Sequence, residues 1–574
     1  ENNEPVIGAS VVQKGTKNAA ATDVDGHFSI KVAAGTPLVI SYVGYKTVTE
    51  AAAADMMVYM QPTTEMLNEL VAIGYGSQKR ANLTGAVSTV DVSRTMESRP
   101  VTDVTKALQG AVPGLSITTS TGEIGDDATM RVRGLGTLSN DQSSAPLIVV
   151  DGVVVDDLAF LNGDDIAEIS VLKDAASASI YGTRAAFGVI LVTTKNPDKA
   201  DRISVSYSNN FGWSQATVLP EFMTTANDIR TALQSDYRQG GKSTEIFGMY
   251  YDKVLPYAEA WERQNGGVKS GYRELMPFQS WDNVGDYAIL EDGSMVRYTD
   301  WDVTGILYNT AAPSQKHNVS LEGRSGRAAY RLSFGYDERQ GLMNYNPETM
   351  KRYMANANVT IDITKWLKAG TRINFSQRNY HQPNTQRNSY QYIWRWPGFF
   401  STYGWSRDEE GNPMDWRNEI SIRKYAGNDN TTSTQTRLQA FLEAQIIKGL
   451  TVNADFTYQL RRWDNELDRT PYTVYNNWTS APFSTWTSFT QANTYAYQST
   501  RRINMWTTNV FATYAKSFND VHNLKVMLGF TAEKEDYNYF LAQRMGLLDY
   551  NLPVINMANG DMYVYQNGSA KNHM

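Results

Sequence analysis

Long stretches in the second half of the chain alternate between apolar and polar residues. In "AAYRLSFGY", the alternation places Tyr330, Leu332 and Phe334 on one face of an extended strand, and Arg331 and Ser333 on the other. A period of two residues is the signature of a β-strand with two different faces. The pattern recurs from about residue 201 to the end of the chain, which predicts a large antiparallel β-structure there.

Tight turns and long polar connections alternate between these predicted strands. "NVTIDITKWLKAGTRINFSQ" reads as a hairpin with a turn at Thr364-Lys365, and "LEAQIIKGLTVNADFTY" as a hairpin with a turn at Lys448-Gly449. Strands of roughly 10 residues, joined in this alternating way, are typical of an outer-membrane barrel. A large soluble β-protein is the alternative. On the barrel interpretation, the extracellular loops are 214–314, 379–430 and 462–499.

The first 80 residues have a different pattern. Residues 1–62 contain short strands separated by turns, which predicts a small β-sandwich. The turn Asp23-x-Asp25-Gly26 lacks the later ligands and the closing glutamate of a calcium loop, so we interpret it as a hairpin turn. Residues 63–80 have a short apolar core between polar flanks, which suits a linker or an added strand.

Residues 81–200 predict a compact α/β unit. Thr102 or Asp103 can cap a short helix, and Asp174 can cap a second one after a strand through Ile169–Leu172. On this interpretation Lys173 and Asp174 mark a strand-to-helix corner with a structural role. An enzyme is disfavoured, because Gly134-x-Gly136 is only a fragment of a dinucleotide motif.

Composition narrows the possible functions. The chain has 574 residues, a net charge of −7, five histidines and no cysteine. The acidic balance argues against a nucleic-acid partner, and the lack of cysteine excludes disulfides and zinc-thiolate sites. The sequence suggests no metal and no cofactor. No stretch approaches the roughly 20 apolar residues of a membrane-spanning helix. Abundant aromatic residues in a polar chain suit two-faced strands.

Three motifs give the chain a resemblance to a known family. They are "NELVAIGYGSQKRANLTGAVSTV", "MRVRGLGTLSNDQSSAPLIVVDGVVVDD" and "DIAEISVLKDAASASIYGTRAAFGVILVTTK". The first resembles a TonB-box region, and the other two resemble the Arg-Gly stretch and the closing signature of a plug domain. In this order they are similar to the SusC-type TonB-dependent transporters of the outer membrane. One departure is Ala185-Ala186-Phe187-Gly188, where members more often carry Gly-Ala-Asn-Gly.

The resemblance implies a mainly β fold in four parts. Residues 1–62 are similar to the carboxypeptidase-regulatory-like domain, an Ig-like sandwich, with its first strand absent. Residues 63–80 are the TonB-box linker, 81–200 the α/β plug domain, and 201–574 part of a transmembrane antiparallel barrel of the 22-strand class. The residues of the plug signature, with a structural role, are Asp151, Gly152, Lys173, Asp174, Tyr181, Gly182 and Gly188.

The resemblance also implies a mechanism. The TonB–ExbB–ExbD complex would pull on a TonB box comprising Glu69, Leu70, Val71, Ala72, Ile73 and Gly74. Arg131 and Arg133 of the plug would pair with acidic residues of the barrel wall and act as a gate. The barrel would sit in outer-membrane lipid with its N-terminal domain in the periplasm.

Cargo and partner also follow only from the resemblance. A SusD-type surface lipoprotein would cap the barrel and capture a glycan or an oligopeptide, and the substrate-contacting residues are unknown. A surface adhesin or a TonB-linked signalling receptor on the same barrel is the alternative.

Length suggests that this sequence is an N-terminal portion. Family members are usually about twice as long, and only nine or ten strands can be counted after residue 200. Such a number cannot close a barrel wide enough for a plug, because barrel diameter grows with strand number. We therefore expect the last strand, near 521–537 or just beyond it, to have an exposed edge.

Overall fold

Contacts between residues divide the chain into two compact units. The first unit combines residues 1–90, 135–154 and 168–193, and the second combines 91–134, 155–167 and 194–574. The computed structural model describes residues 6, 8–16, 18–23, 25–42, 45, 47–60, 70–72, 77–79, 87–90, 103–119, 123–125, 128–134, 145–197, 203–241, 245–246, 249–384, 402–476, 484–518 and 522–573.

An antiparallel sheet of four strands lies near the N-terminus. Its strands are β1 (Ser10–Gln13), β2 (Ala19–Ala21), β3 (Pro37–Ser41) and β4 (Val48–Ala51). They pair in the order β2-β1-β3-β4 around a core of Val11, Leu38 and Ile40. Residues 28–32, which alternate between apolar and polar side chains, do not form a strand, although Phe28, Ile30 and Val32 still pack against this core.

The residues around Asp23 form a turn, but no described strand follows it directly, so the predicted hairpin is not completed there. The carboxylate of Asp23 accepts hydrogen bonds from the backbone amides of Asp25 and His27, at 3.0 and 2.8 Å. These bonds close the turn between β2 and residue 28 from within. They explain the Asp-x-Asp-Gly pattern by turn geometry, in which a short polar side chain bonds the backbone that follows it.

Residues 70–194 alternate short strands and helices. The described elements are β5 (Leu70–Ala72), β6 (Ser77–Lys79), β7 (Val87–Val90), α1 (Val104–Ala107), β8 (Leu115–Thr118), β9 (Thr129–Val132), β10 (Leu147–Val150), β11 (Val153–Val155), β12 (Ile166–Leu172), α2 (Ala175–Ala178) and β13 (Val189–Thr194), with 3-10 turns at Gly163–Asp165 and Ser179–Ala185.

A mixed sheet organises the plug-like part of the first unit. Its order is β11-β10-β13-β12-β7, with β10 parallel to β13 and β12 antiparallel to β7. β10, β12 and β13 are almost continuous apolar runs, as expected for strands that are covered on both faces. Val149, Leu172 and Leu191 from these strands pack against Tyr181 in one core. In the second unit, β8 pairs antiparallel with β9.

The rest of the chain forms long strands joined by connections that carry smaller elements. Residues 203–340 contain β14 (Ile203–Ser214), α3 (Thr225–Arg238), β15 (Glu245–Ile246), β16 (Met249–Tyr250), α4 (Tyr251–Asn265), β17 (Arg273–Glu274), β18 (Tyr287–Ile289), β19 (Met295–Arg297), α5 (Val303–Leu307), β20 (Ala312–Ser325) and β21 (Ala328–Gln340).

Residues 349–573 continue the same arrangement. They contain β22 (Thr349–Asp362), β23 (Leu367–Pro383), β24 (Gly404–Arg407), β25 (Pro413–Asp415), α6 (Glu419–Tyr425), β26 (Asn428–Ile447), β27 (Leu450–Arg469), β28 (Thr473–Tyr475), β29 (Thr485–Thr487), β30 (Tyr495–Phe518), β31 (His522–Met545) and β32 (Met562–His573), with 3-10 turns at Gln491–Asn493 and Ile555–Met557. Among the described residues, no helix is both long and apolar enough to cross a membrane.

Ten strands form one antiparallel sheet, called here the large sheet. Its order is β14-β20-β21-β22-β23-β26-β27-β30-β31-β32, so each strand pairs with the next long strand of the sequence. The nine or ten strands counted from the sequence are thereby confirmed, as is the mainly β fold. β32 lies at one edge of the described sheet, just beyond the predicted segment 521–537.

Connections alternate in length along the large sheet. The short ones are 326–327, 363–366, 448–449 and 519–521, and the long ones are 215–311, 341–348, 384–427, 470–494 and 546–561. The predicted loops were too wide, because 379–383, 428–430, 462–469 and 495–499 belong to strands. Their residues are mostly polar, so the apolar alternation ends before the backbone pairing does.

Candidate functional site

Residues 155–167, called the acidic segment, are a part of the plug-like region (residues 81–200) that contacts the large sheet within the second unit. The segment contains four aspartates, and its Leu158 and Leu161 are buried. The Asn162 side chain caps the following 3-10 turn by accepting a hydrogen bond from the Asp164 amide at 3.2 Å. The same side chain donates to Asn318 Oδ1 on β20 at 2.7 Å. This capped turn fixes the direction of the two aspartates that follow.

Asp165 makes the most extensive contact with the sheet. Its carboxylate accepts hydrogen bonds from Arg331 Nη2 at 3.2 Å, Ser333 Oγ at 2.5 Å and Asn356 Nδ2 at 2.6 Å. Asp165 is only 5% exposed, and Arg331 also pairs with Glu322 at 2.6 Å. A buried carboxylate with this many donors is a strong local attachment. The sheet face that carries these donors is called the inner face.

Three further contacts join the acidic segment to the inner face. Lys316 on β20 pairs with Asp164 at 3.0 Å, and Arg461 on β27 pairs with Asp156. Arg352 on β22 donates to the backbone carbonyl of Ala159 and pairs with Asp337 at 2.7 Å. The attachments therefore combine carboxylates of the acidic segment with cations of the sheet.

The predicted gate residues, Arg131 and Arg133, are not among the residues that attach the acidic segment to the large sheet. Arg131 lies on β9, and its Nε is buried without a hydrogen-bond partner in the described part of the chain. Arg133 follows β9 with a left-handed φ of 57° and is exposed. Among the described residues neither arginine forms an ion pair. Their role in gating stays a prediction, and the observed ion pairs have the opposite arrangement of charge.

The predicted TonB box is described only in part. Leu70, Val71 and Ala72 form β5, which pairs antiparallel with β6. Glu69, Ile73 and Gly74 lie outside the described residues. The backbone of the central three residues is thus extended, the conformation that pairing with an added strand requires.

The plug-signature residues lie at turns and caps. Asp151 and Gly152 have φ angles of 49° and 83° and form the turn between β10 and β11. Asp174 caps α2 by accepting from the Ser177 amide at 2.8 Å, and Lys173 Nζ donates to Ser88 Oγ at 2.6 Å.

The remaining signature residues shape the segment that follows α2. Gly182 and Gly188 have φ angles of 60° and 91°, a backbone conformation that glycine adopts more readily than other residues. Tyr181 is buried in the local core. These positions support a structural interpretation of the signature.

Sequence reasoning missed the residues that attach the acidic segment. Arg331 and Ser333 had been placed together on the polar face of their strand, which is correct. The partner Asp165 lies 166 residues away from Arg331, so no local pattern could pair them. One signal was available in the sequence. The aspartate pair in "NGDD" stands directly before a buried strand, and cations stand on the polar faces of other strands, so the two groups could have been matched.

The long connections of the large sheet share an ordered core. Within 215–311, the Arg273 guanidinium binds the buried carboxylate of Asp286 through two hydrogen bonds of 2.6 and 2.7 Å. Trp301 of this connection, Trp416 of 384–427 and Tyr475 of 470–494 belong to one buried cluster. Met343 of 341–348 belongs to the same cluster, so four connections are packed together rather than independent.

An acidic group in this region has a raised proton affinity. Asp228 lies in the first turn of α3, and burial raises its pKa from 3.8 to about 6, with repulsion from Asp300 as the second cause. Lys269 acts in the opposite direction. The connection thus contains a carboxyl group that titrates near neutral pH.

Comparison with known proteins identifies the domains. The TonB-dependent receptor plug domain family matches residues 79–189, and the CarboxypepD_reg-like domain family matches residues 1–72. The TonB-dependent receptor SusC of Bacteroides thetaiotaomicron is 31% identical over 365 residues, which cover 62% of this chain and 31% of SusC. The TonB-dependent receptor P39 of Formosa agariphila is 27% identical over 563 residues, which cover 94% of this chain and 46% of P39.

A solved structure supports the same fold. The RagAB peptide importer in its open-open state superimposes with a TM-score of 0.63 at 21% identity, covering 88% of this chain and 53% of that chain. This chain therefore spans less than half of the two curated relatives and about half of the solved chain.

A plug domain followed by a large antiparallel sheet defines the class of TonB-dependent receptors. Within that class, the CarboxypepD_reg-like domain before the plug and the similarity to SusC place the chain among the SusC-type receptors.

Proposed function

We propose that the complete protein imports a nutrient across the outer membrane by TonB-dependent active transport. The observation that carries the proposal is the attachment of the acidic segment to the inner face through Asp165, Asp164 and Asp156. Asp165 forms a desolvated pair with Arg331, and removing one partner of such a pair costs several kcal/mol, roughly 3–5. The more exposed Asp164 and Asp156 contribute less. A plug held in this way needs external work to move, and the outer membrane has no ATP.

The energy would come from a TonB–ExbB–ExbD complex that pulls on the segment around Glu69–Gly74. TonB would add a strand to the extended backbone of β5, because strand addition uses backbone hydrogen bonds and tolerates small side chains. On this proposal, the short connections would face the periplasm and the long connections the outside, in the usual arrangement of such barrels. The N-terminal sandwich would be periplasmic, as the family resemblance implies.

The proposed cargo is a glycan or an oligopeptide, delivered by a SusD-type surface lipoprotein that caps the barrel. The ordered core shared by four long connections supports a stable docking surface for such a partner. Family similarity favours this partner, and the likeness to a peptide importer concerns the fold alone.

Replacing Val71 by proline tests the energy coupling. Proline removes the backbone donor at the centre of β5, so TonB pairing and uptake of labelled cargo should be lost while surface level and cargo binding persist. Val71→Ala keeps the donor and is the matched control. Uptake that continues in Val71→Pro, or after deletion of residues 68–76, would exclude this coupling. Cargo binding without any TonB-dependent uptake in the unaltered protein would instead favour an adhesin or a signalling receptor.

A further inference from the structure

Strand register places one residue from each strand of the large sheet in a continuous row on the inner face. Directly opposed residues of antiparallel strands share a face, so the whole row points the same way. The charged members, in order from β20 to β30, are Lys316, Asp337, Arg352, Arg378 and Arg501. The row thus carries four cations and one carboxylate.

The inner face already binds carboxylates at several of its cations. Lys316 holds Asp164 at 3.0 Å and Arg352 holds Asp337 at 2.7 Å. The chemistry of the row is therefore recognition of carboxylates by cations, and the acidic segment itself supplies one of the bound groups.

Arg501 is the cation of the row that lies farthest from these contacts. Its guanidinium carbon lies 3.9 Å from the ring centre of Trp463, which is its register partner on β27. The side chain is exposed and makes no ion pair among the described residues. A guanidinium over an aromatic ring is attracted to the ring face, and its remaining donors match the two oxygens of a carboxylate.

A second cationic group lies where the row meets the plug-like region. A small cavity is lined by Arg339, Arg352 and Arg378 of the sheet and by Asp103 and Ala159 of the plug-like region. The Nε of Arg339 is buried there without a hydrogen-bond partner in the described part of the chain. This donor adds to the positive potential at the same level of the inner face.

We infer that the row is a binding track for cargo that carries carboxylate groups, with Arg501 as a primary contact. The inference rests on the proposed function and deepens it by naming the chemistry of the cargo. Carboxylates could come from uronic acids in an oligosaccharide or from acidic residues in a peptide. As the plug moves, carboxylates of the cargo would take the places that carboxylates of the acidic segment leave.

Binding to the purified full-length receptor tests the inference with two matched pairs of probes. One pair is an oligogalacturonide and its methyl ester of the same length, and the other is a glutamate-containing peptide and its glutamine counterpart. The acidic member of at least one pair should bind at least about tenfold more tightly, because a hydrogen bond to a charged group is worth a tenfold change or more. The pair that shows the preference identifies the source of the carboxylate. The preference should shrink in high salt.

Variants on β30 assign the effect to the row. Arg501→Gln should reduce the preference for the acidic probe about three- to fivefold, because a pair with an exposed cation is worth about 1 kcal/mol or less. Arg502→Gln, one residue further and on the opposite face, removes the same charge and should leave the preference unchanged. Equal binding of acidic and neutral probes in both pairs, or equal effects of the two variants, would overturn the inference. The Val71→Pro uptake test is independent of this outcome, so failure of the track and failure of the transport proposal are distinguishable.

Discussion

Replacing Asp165 by asparagine should loosen the acidic segment from the large sheet. The carboxylate is 5% exposed and accepts from three donors, on Arg331, Ser333 and Asn356. Asparagine keeps the shape of the side chain but loses its charge. Because its NH2 group replaces one of the two acceptor oxygens, it must also face at least one of these donors, with which it cannot form a hydrogen bond. Removing one partner of a buried pair costs about 3–5 kcal/mol. Arg331 still pairs with Glu322 at 2.6 Å in the variant, so we expect a cost at the lower end of this range, about 3 kcal/mol. This corresponds to roughly a hundredfold increase in the equilibrium constant for local opening.

Native-state hydrogen exchange measures this opening. The backbone amide of Lys195, which donates to the carbonyl of Asp165 at 2.7 Å, is a direct reporter, together with the amides of the acidic segment. Their exchange should be roughly a hundredfold faster in Asp165→Asn, because exchange follows the local opening free energy. Asp164→Asn is the matched control.

The control should give a much smaller change. Asp164 contacts Lys316 at 3.0 Å, and its side chain is 28% exposed. Partly solvated pairs contribute about 1 kcal/mol or less. Unchanged protection in Asp165→Asn, or the same change in both variants, would refute the attachment described for the buried carboxylate.

Two further predictions concern the long connections. Because the folded-state pKa of Asp228 is raised to about 6, the folded connection binds a proton more tightly than the unfolded one, so its stability should fall as pH rises from about 4 to 6. Protection factors of the amides in α3 should show this fall, and Asp228→Asn should abolish it; a pH profile that is identical in the variant would contradict the assignment. Trp416→Ala, which removes a fully buried ring from the core shared by four connections, should cost about 3–5 kcal/mol and raise protease sensitivity in 215–311 and 470–494 together. Cleavage confined to 384–427 would show that the connections are independent.

Local patterns in the sequence were sufficient for the strands and for several turns. The opposite faces of β21, the hairpin at Lys448-Gly449 and the cap at Asp174 each depend on neighbouring residues, which a sequence displays directly. The wide loops were predicted incorrectly because strands such as β26 continue into runs of threonine and asparagine, where backbone pairing persists without apolar alternation.

Pairing between residues that are distant in the sequence could not be predicted from local patterns. The sequence showed that Arg331 faces the polar side of its strand but did not show which carboxylate meets it. It also suggested arginines of the plug against acids of the wall, whereas the described ion pairs have aspartates of the acidic segment against cations of the sheet. That distinction depends on the register of the strands and the position of the acidic segment, which are tertiary properties.

The length of the last paired strands has a mechanical consequence. β30 and β31 have 24 residues each, and at about 3.3 Å per residue such a strand is roughly 80 Å long, whereas the apolar band of a barrel is about 25 Å tall. In the proposed membrane arrangement, even a tilted strand of this length would continue well beyond the lipid as a hydrogen-bonded ribbon. The proposed surface partner would then meet a stiff end of the large sheet and lose little chain entropy on contact, so motion there would be transmitted to the sheet directly.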